Sequence, residues 1–448
     1  MVYNTRIYTL TTMYSNRNSF LWGLILFVLL KGWVGFPVTA QTTLRLSLED
    51  ARQYALEHNK NLINAGLAVD EAGARLRETI AQGLPQLNAA VDYNNFFGST
   101  ATLGAMPGFE IEFNPTSNLG ISVGQLIFSG SYIVGVQTAR LFQEVTKTNL
   151  EKSELEIMVQ VSQAYYLSLV SIESREIIRA NLDNMRDLLE KTRVLVDVGV
   201  AEELDYDQLT VQSGMLADAV RAADRQVELS LNMLRLQMGM PADQEITLAD
   251  ELDQVVNRLD FRDKLIRPFS LNYHPDFRLV SLQTGIAEKQ IRLEQAAYLP
   301  TISGFYSYTE KLLKPEFDIT PRHVIGLNVN IPVFSSGVRR SKLQQARINH
   351  EVAGNQLDLL SQQLMIQEKQ LRYNLSNAIE QYESQLANLE VARRVILSFQ
   401  YKYQQGMVSS LDMITANNNY LQAENSYISS LMQLLDAQLA MARLLNDL

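Results

Sequence analysis

The 448-residue chain contains no cysteine and only four histidines. Without cysteine it can form neither a disulfide nor a thiolate metal site, and it offers no thiol for lipid attachment. The histidines are His58, His274, His323 and His350. They are scattered and have no carboxylates at ligand spacing, so they are better interpreted as exposed or helix-capping residues than as metal ligands. The sequence therefore predicts no metal site and no cofactor.

Signatures of catalysis and of nucleic-acid binding are missing as well. The sequence has no glycine-rich loop that could cradle phosphate, no HExxH motif and no serine nucleophile elbow. The formal net charge of −10 disfavours nucleic acid as a partner, because nucleic-acid-binding proteins usually carry basic patches. The sequence predicts a protein that is not an enzyme and binds no nucleic acid.

The one long apolar run lies near the N-terminus. Arg17 precedes the run from Ser19 to Leu30, and Val38-Thr39-Ala40 supplies the small residues of a cleavage site. These features predict a secretory signal peptide over residues 1–40, and a start at Met13 would give it a more ordinary length. A membrane-spanning helix is the alternative, but the run is shorter than the ~20 apolar residues that a span needs.

The rest of the chain is an internal duplication, because several segments recur in the same order. The matching pairs are residues 58–85 with 273–300, GISVGQLIFSG from Gly120 with GLNVNIPVFSSG from Gly326, and VGVAEELDYDQL from Val198 with QGMVSSLDMITA from Gln405. The predicted domains after the signal peptide are a first structural repeat over 41–240, a linker or belt segment over 241–270 and a second structural repeat over 271–448.

Within each repeat, two segments alternate apolar and polar residues, which is the period of a β-strand. They begin at Gln86 and Gly120 in the first repeat and at Thr301 and Leu327 in the second, and the last is expected to continue to Val333. Strands of about ten residues with one apolar face suit the wall of an outer membrane β-barrel. Four strands cannot close a barrel alone, since the smallest barrels have about eight.

Each pair of strands is followed by an unusually long helical pattern. Residues 131–198 and 338–405 contain no proline, and at about 1.5 Å per residue each helix would reach ~100 Å. Apolar residues at spacings of three and four predict coiled-coil packing. Shorter helical patterns cover residues 61–82, 202–238, 276–297 and 409–446. Two short helices stacked end to end would nearly match the length of one long helix.

Both long helical patterns end at a glycine, Gly199 in the first repeat and Gly406 in the second. Glycine adopts the left-handed conformation of a helix end at little cost, and Ser409 or Ser410 can cap the helix that follows. The carboxylates in or near the first turns of the returning helices are Glu202, Glu203, Asp205 and Asp412. Carboxylates are favoured at helix N-termini, so capping alone accounts for these residue types.

Taken with these turns, four further motifs resemble those of the TolC family of outer membrane efflux and secretion proteins. The motifs are Leu84-Pro85, Gln125 to Gly130, Leu299-Pro300 and Ile331 to Gly337. The resemblance extends from about Leu46 to Leu448. It implies a mixed α/β membrane protein, a homotrimer whose three sets of four strands close a 12-stranded outer membrane β-barrel. This barrel would be continuous with a long periplasmic α-helical coiled-coil barrel.

The resemblance also implies a location and partners. The protein would lie in the outer membrane of a gram-negative-type bacterium, in contact with outer membrane lipid, with a large periplasmic extension. Its tips would dock onto a periplasmic adaptor (membrane fusion) protein that couples it to an inner membrane pump or an export ATPase. The chain would then be the exit duct of a tripartite efflux or type I secretion system, a passive gated conduit. A periplasmic coiled-coil scaffold or adaptor without a pore is the alternative, and the substrate could be a drug, a metal cation or a protein.

The two glycine turns would lie at the periplasmic end of the tunnel. By resemblance, Asp205 and Asp412 lie near the periplasmic aperture, and Tyr403 matches a tyrosine that takes part in closing it. In a trimer these aspartates, together with Glu202 and Glu203, would form a carboxylate ring that attracts cations. The residues expected to dock the adaptor are Val198, Gly199, Val200, Leu204, Gly406, Met407 and Leu411.

Overall fold

A computed structural model describes residues 44–102, 110–314 and 320–447 of the chain. The predicted signal peptide, residues 1–40, lies outside the described residues. The chain divides into two units, residues 1–44 and 45–448. Apart from Leu44 at the start of the first strand, every element described below belongs to the second unit.

Long helices dominate the second unit. The helices are α1 (Leu48–His58), α2 (Lys60–Ala81), α3 (Gly130–Asp197), α4 (Glu203–Met238), α5 (Leu252–Arg258), α6 (Asp263–Ile266), α7 (Pro275–Ala296), α8 (Val338–Gln404) and α9 (Ser410–Leu445). The strands are β1 (Leu44–Leu46), β2 (Gln86–Asn94), β3 (Thr100–Thr102), β4 (Glu110–Glu112), β5 (Thr116–Phe128), β6 (Ile246–Leu248), β7 (Thr301–Leu313) and β8 (His323–Asn330). A single turn of 3-10 helix, Leu271–Tyr273, precedes α7.

The two very long helices predicted from the sequence are confirmed. Helix α3 has 68 residues and α8 has 67, and both lie within a residue of the expected bounds. Helix α4 returns along α3 and α9 returns along α8, while α2 packs on α3 and α7 packs on both long helices. None of the helices within the described ranges combines the length and the apolarity that crossing a membrane requires.

The predicted end-to-end stacking of short helices is visible where α4 ends and α2 begins. Gly239 ends α4 with φ of 76°, and a side chain there would place its Cβ 2.7 Å from the carbonyl oxygen of His58. Asn59 caps α2, and its Nδ2 donates a hydrogen bond of 2.7 Å to the carbonyl of Gln237. Glycine is therefore needed for both its conformation and its small size, because the two helix ends are in contact.

The four long strands form one antiparallel sheet in the order β2-β5-β7-β8. Because β2 and β8 are the outer strands, each pairs with a neighbour on one side only among the described strands. Alternate residues of these edge strands are exposed and apolar: Leu87, Val91 and Tyr93 on β2, and Ile325, Leu327 and Val329 on β8. The sheet therefore presents an apolar surface and two open edges.

The predicted end of the last strand was wrong. Strand β8 ends at Asn330 instead of continuing to Val333, because Pro332 has no backbone N–H to donate to the ladder. Ser336 and Gly337 then turn the chain into α8 with φ of 47° and 87°. The segment between β2 and β5 contains the short antiparallel pair of β3 and β4.

The predicted linker over 241–270 contains β6, α5 and α6, and β6 pairs with β1. The Tyr165 hydroxyl of α3 lies 3.0 Å from the carbonyl oxygen of Leu46 and 2.8 Å from the Asp250 carboxylate, which ties both strands to α3. We call the buried apolar cluster around this contact the belt core. It includes Ala51, Val161, Tyr165, Tyr166, Leu169, Val170, Leu234, Leu252, Leu431 and Leu435.

A separate buried cluster, the tip core, lies where the long helices turn back. It comprises Leu182, Met185, Leu188, Leu209, Leu216, Ile396, Tyr403, Met413 and Ala416. These residues come from α3, α4, α8 and α9, so all four helices are held together near the two turns. The tip core therefore sets the geometry of the candidate site.

Candidate functional site: the two hairpin tips

Both tips are built on a left-handed glycine. Gly199 has φ of 74° and Gly406 has φ of 68°, and no atom lies within 4 Å of a Cβ added at either position. Only the backbone conformation therefore requires glycine. In the first tip the amide of Val200 bonds the carbonyl of Leu195 at 2.8 Å, and in the second the amide of Met407 bonds that of Lys402 at 2.9 Å. This Schellman arrangement satisfies the last carbonyls of both long helices and confirms the predicted helix stops.

The returning helices begin with reciprocal caps. Ser409 Oγ accepts a hydrogen bond of 3.1 Å from the amide of Asp412, and the amide of Ser409 donates to Asp412 Oδ2 at 3.1 Å. The Ser409 hydroxyl also donates to Asp412 Oδ2, at 2.7 Å, and this bond together with that from the Ser409 amide holds the pKa of Asp412 below its usual range. In the first tip the amide of Glu202 donates to Asp205 Oδ2 at 3.3 Å. The predicted capping role is therefore confirmed for both aspartates, with Ser409 as the cap of α9.

Helices α3 and α4 form the first hairpin, and helices α8 and α9 form the second. Two further contacts join the first hairpin to the second. Asp205 accepts a short hydrogen bond from the hydroxyl of Ser410. Tyr403 is buried in the tip core, and its hydroxyl lies 2.9 Å from Thr192 Oγ1 on α3. Burial raises the pKa of Tyr403, so this hydroxyl remains neutral. The predicted residues Asp205 and Tyr403 thus both take part in bonds between the hairpins.

The glutamate neighbours of Asp205 differ in their contacts. Glu203 Oε1 accepts from Arg193 at 3.0 Å, and Arg193 also lies 3.2 Å from Asp197 and over the ring of Tyr206. Both Glu202 and Glu203 are exposed. Part of the negative charge expected at the first tip is therefore balanced by Arg193.

Sequence reasoning missed Thr192 and Arg193 as tip residues, and it named Ser410 only as a possible helix cap and not as a partner of Asp205. Arg193 could have been found, because it lies four residues before Asp197 on one helix face. Thr192 and Ser410 have no such local signal, since their partners lie on other helices.

The apolar residues predicted to dock an adaptor are exposed in the single chain. Their exposed fractions are 67% for Val198, 71% for Val200, 60% for Leu204, 70% for Met407 and 63% for Leu411. Gly199 and Gly406 lie between them at the turns. Val194, which the sequence reasoning missed, is 59% exposed and extends the same surface along α3. The structure thus brings these side chains to one end of the helices, where they are open to a partner.

The four histidines lie far from the tips in the sequence, and three of them have specific structural positions. His58 stacks on Tyr54, His274 occupies the N-cap position of α7, and His323 Nδ1 lies 2.8 Å from the Tyr306 hydroxyl. The described part of the chain holds no group of three or more histidine, aspartate or glutamate side chains arranged to bind a metal ion.

Comparison with known proteins places this architecture in a family. The family model described as "Outer membrane efflux protein" matches residues 51–239 and 270–447. The outer membrane protein TolC of Vibrio cholerae is 20% identical over 408 residues, covering 87% of this chain and 90% of the relative. The outer membrane efflux protein BepC of Brucella suis is 22% identical over 434 residues, covering 92% of this chain and 88% of the relative.

A solved structure shares the fold. The crystal structure of the outer membrane protein VceC from Vibrio cholerae superposes with a TM-score of 0.72 at 18% identity, covering 89% of this chain and 96% of that one. Each of the two stretches matched by the family model contains strands of the four-stranded sheet, one very long helix and the helix that returns along it. The chain therefore belongs to the outer membrane efflux protein family, as its resemblance predicted, and functions in efflux at the outer membrane.

Proposed function

We propose that three copies of this chain assemble into the exit duct of a tripartite export system. The observation that carries the proposal is the four-stranded sheet with open edges at β2 and β8. Within a bilayer, unpaired strand edges are costly, because no water is present to bond their backbone groups. Three such sheets joined edge to edge would close a 12-stranded barrel, which lies within the known range of sizes.

An exposed apolar stripe on α4 supports assembly of the helical part. Its members are Leu204, Val211, Met215, Leu229, Met233 and Leu236, each at least 46% exposed. Several are spaced by four or seven residues, which is the pattern of a coiled-coil seam. The buried face of α4, which includes Leu209, Leu216 and Leu234, already packs within the chain. The stripe therefore suits a neighbouring copy.

The tips are proposed to dock a periplasmic adaptor protein, which links the duct to an inner membrane pump or an export ATPase. Their exposed apolar residues, Val198, Val200, Met407 and Leu411, supply the contact area. In this arrangement the partner supplies the energy, and the chain is a gated conduit without hydrolytic activity. The substrate class is left open, because no side-chain chemistry of the tips selects one.

The aperture is proposed to be negatively charged and cation-preferring. Asp412 is ionised at neutral pH, since its cap bonds hold its pKa below the ordinary 3.8. Asp205 is bonded to Ser410, which lies two residues before Asp412 in the sequence. In a trimer these carboxylates, with Glu202 and the partly balanced Glu203, would surround the narrow end. Such rings favour cations, and salt screens their effect.

Assembly is tested by placing carboxylates in the α4 stripe. Wild-type protein should run as a trimer on unheated gels. We expect Val211→Glu with Met215→Glu to abolish this trimer, while Thr210→Glu, on the neighbouring exposed face of α4, leaves it intact. Purified wild-type protein should conduct ions in planar bilayers. A wild-type monomer that does not conduct would contradict the proposal and support a scaffold without a pore. A trimer that the stripe variant leaves unaffected would also contradict the proposal.

The aperture is tested by conductance. Asp205→Ala with Asp412→Ala should raise conductance or reduce the cation preference. Ser409→Ala is the control, because it removes the same cap of α9 and keeps both charges. Unchanged conductance and selectivity in the double variant would refute the charged aperture, and an equal change in the control would assign the effect to capping.

A further inference from the structure

The tip core and the belt core are separated by an interval with almost no buried apolar side chain. On α3, the buried residues between Val170 and Leu182 are Ser171 and Asn181 alone. On α8, no residue between Ile379 and Ile396 is buried. On α9, the buried residues between Met413 and Leu431 are Ala416, Asn417, Glu424 and Ser430. Three neighbouring helices thus have few buried apolar side chains over this interval.

Polar side chains fill this interval, and we call Asn181, Asn417 and Glu424 the polar layer. Each is at least nine-tenths buried. Among the described residues, no hydrogen-bond partner exists for Nδ2 of Asn181, Nδ2 of Asn417 or Oε2 of Glu424. All three line one cavity of about 280 Å³ between α3, α8 and α9. Buried polar atoms without partners destabilise packing, so the contact among α3, α8 and α9 is weakened at this level.

The layer follows a regular line on α9. Asn417, Glu424, Leu431 and Gln438 recur at every seventh residue, and all are buried. Leu431 is fully buried in the belt core, so this face of α9 can accept an apolar side chain. A coiled coil that holds polar residues at such positions loses stability there. Asn417 and Glu424 therefore occupy buried positions where an apolar side chain would also fit, so exposure to solvent does not explain their polarity.

We propose that the polar layer is a flexure at which the tip half of the hairpins swings relative to the belt half, and that the protonation of Glu424 controls how readily it bends. A swing would let water reach the unpartnered amides and the carboxylate, which regain hydrogen bonds. The apolar cores on either side would remain packed. The inference concerns motion within one chain and goes beyond the proposed assembly.

The charged and titratable groups around Glu424 give the direction of the pH dependence. They are Tyr420 on its own helix, Glu173 on α3 and Arg393 on α8. Burial is the main cause that raises the pKa of Glu424, and Glu173 adds to it, while Tyr420 and Arg393 act in the opposite direction. The packed layer therefore holds its proton more tightly than the open layer. Packing is firmest below the ordinary pKa of 4.5 and weakens as pH rises through the raised pKa.

Hydrogen exchange on the full-length protein tests the flexure. Amides of residues 171–181 and 416–430 should exchange more slowly in Glu424→Gln than in wild type at neutral pH, by about tenfold for every pH unit that separates the pKa of Glu424 in the packed layer from that in the open layer. The ratio should approach one towards the ordinary pKa. Glu380→Gln, at an exposed glutamate of α8, is the matched control and should follow wild type.

Asn417→Leu provides a second arm without a change of charge. It should slow exchange in the same two segments at every pH while keeping the pH dependence of wild type. A Glu424→Gln ratio of one at neutral pH, or equal slowing in tip, layer and belt, would overturn the inference. Conductance measured on the same samples distinguishes failure of the flexure from failure of the proposed duct. A protein that conducts, but whose exchange in the polar layer does not respond to Glu424→Gln, would contradict the flexure alone.

Discussion

The Tyr403 hydroxyl provides a sharp test of what holds the two hairpins together at the tip. It lies 2.9 Å from Thr192 Oγ1, with Tyr403 only 7% exposed and Thr192 fully buried. Tyr403→Phe removes this one contact and leaves the ring in the tip core. Because the change is a single oxygen atom, the loss should be specific to the bond between α3 and α8.

The size of the effect follows from what remains after the substitution. A typical buried hydrogen bond contributes about 0.5–1.5 kcal/mol net. Thr192 Oγ1 also donates to the carbonyl of Leu188 at 2.9 Å, so the threonine is not left without a partner. We therefore expect a loss of about 1 kcal/mol, which corresponds to roughly a fivefold increase in tip opening.

The assay is hydrogen exchange of the tip amides in residues 188–205 and 400–413. Tyr401→Phe is the matched control, because Tyr401 lies two residues away on α8 and is 64% exposed. Thr192→Val completes a double-mutant cycle with Tyr403→Phe, in which the second change should add little to the first. Equal exchange in Tyr403→Phe and Tyr401→Phe, or full additivity in the cycle, would refute the reasoning.

Three further changes test the tips. Gly406→Ala should lower the thermal midpoint of unfolding, because a left-handed alanine costs about 1–2 kcal/mol. Gly214→Ala is the control inside α4, where space is open, and it should raise the midpoint through a gain of about 0.5–1 kcal/mol. A higher midpoint for Gly406→Ala would contradict the reasoning. Ser409→Ala should lower the free energy of unfolding, measured with denaturant, by about 0.5–2 kcal/mol. Ser429 is exposed, so Ser429→Ala should leave this free energy nearly unchanged. Equal losses in the two variants would exclude a stabilising cap at Ser409. The folded pKa of Asp412 is lowered from 3.8, so its cap should contribute fully above 3.8 and be lost as pH falls through the lower, folded pKa. Tip exchange measured against the belt should show this loss in wild type but not in Asp412→Asn.

The features that follow from local chemistry could be predicted from the sequence. Helix lengths, the left-handed glycines and the aspartate caps depend on residues within a few positions of one another. The end of β8 was missed although its cause is local, because the alternation of Ile331 and Val333 was given more weight than Pro332. The partners Thr192 of Tyr403 and Ser410 of Asp205 could not be predicted, since they depend on how long helices are rotated against each other.

The duplication places α4 and α9 in matching positions, yet the two helices differ in what they bury. Asn417 and Glu424 of α9 match Thr210 and Ala217 of α4, and neither α4 residue is buried. Helix α4 instead carries its stripe of apolar residues outward. We therefore expect bending at the polar layer to depend on α9 more than on α4. The polar layer favours this bending, and the Tyr403 and Ser410 contacts between the hairpins oppose it.

The Tyr403 contact and the polar layer can also be tested in one protein. Tyr403 and Arg393, the residue of α8 beside Glu424, are ten positions apart, which is about 15 Å along a helix. Changes so far apart usually add. Tyr403→Phe should speed exchange at the tip, Glu424→Gln should slow it in the polar layer, and the double variant should show both effects at unchanged size. If Glu424→Gln cancelled the effect of Tyr403→Phe at the tip, the bond and the layer would be parts of one cooperative unit, and the flexure would not be separate from the tip.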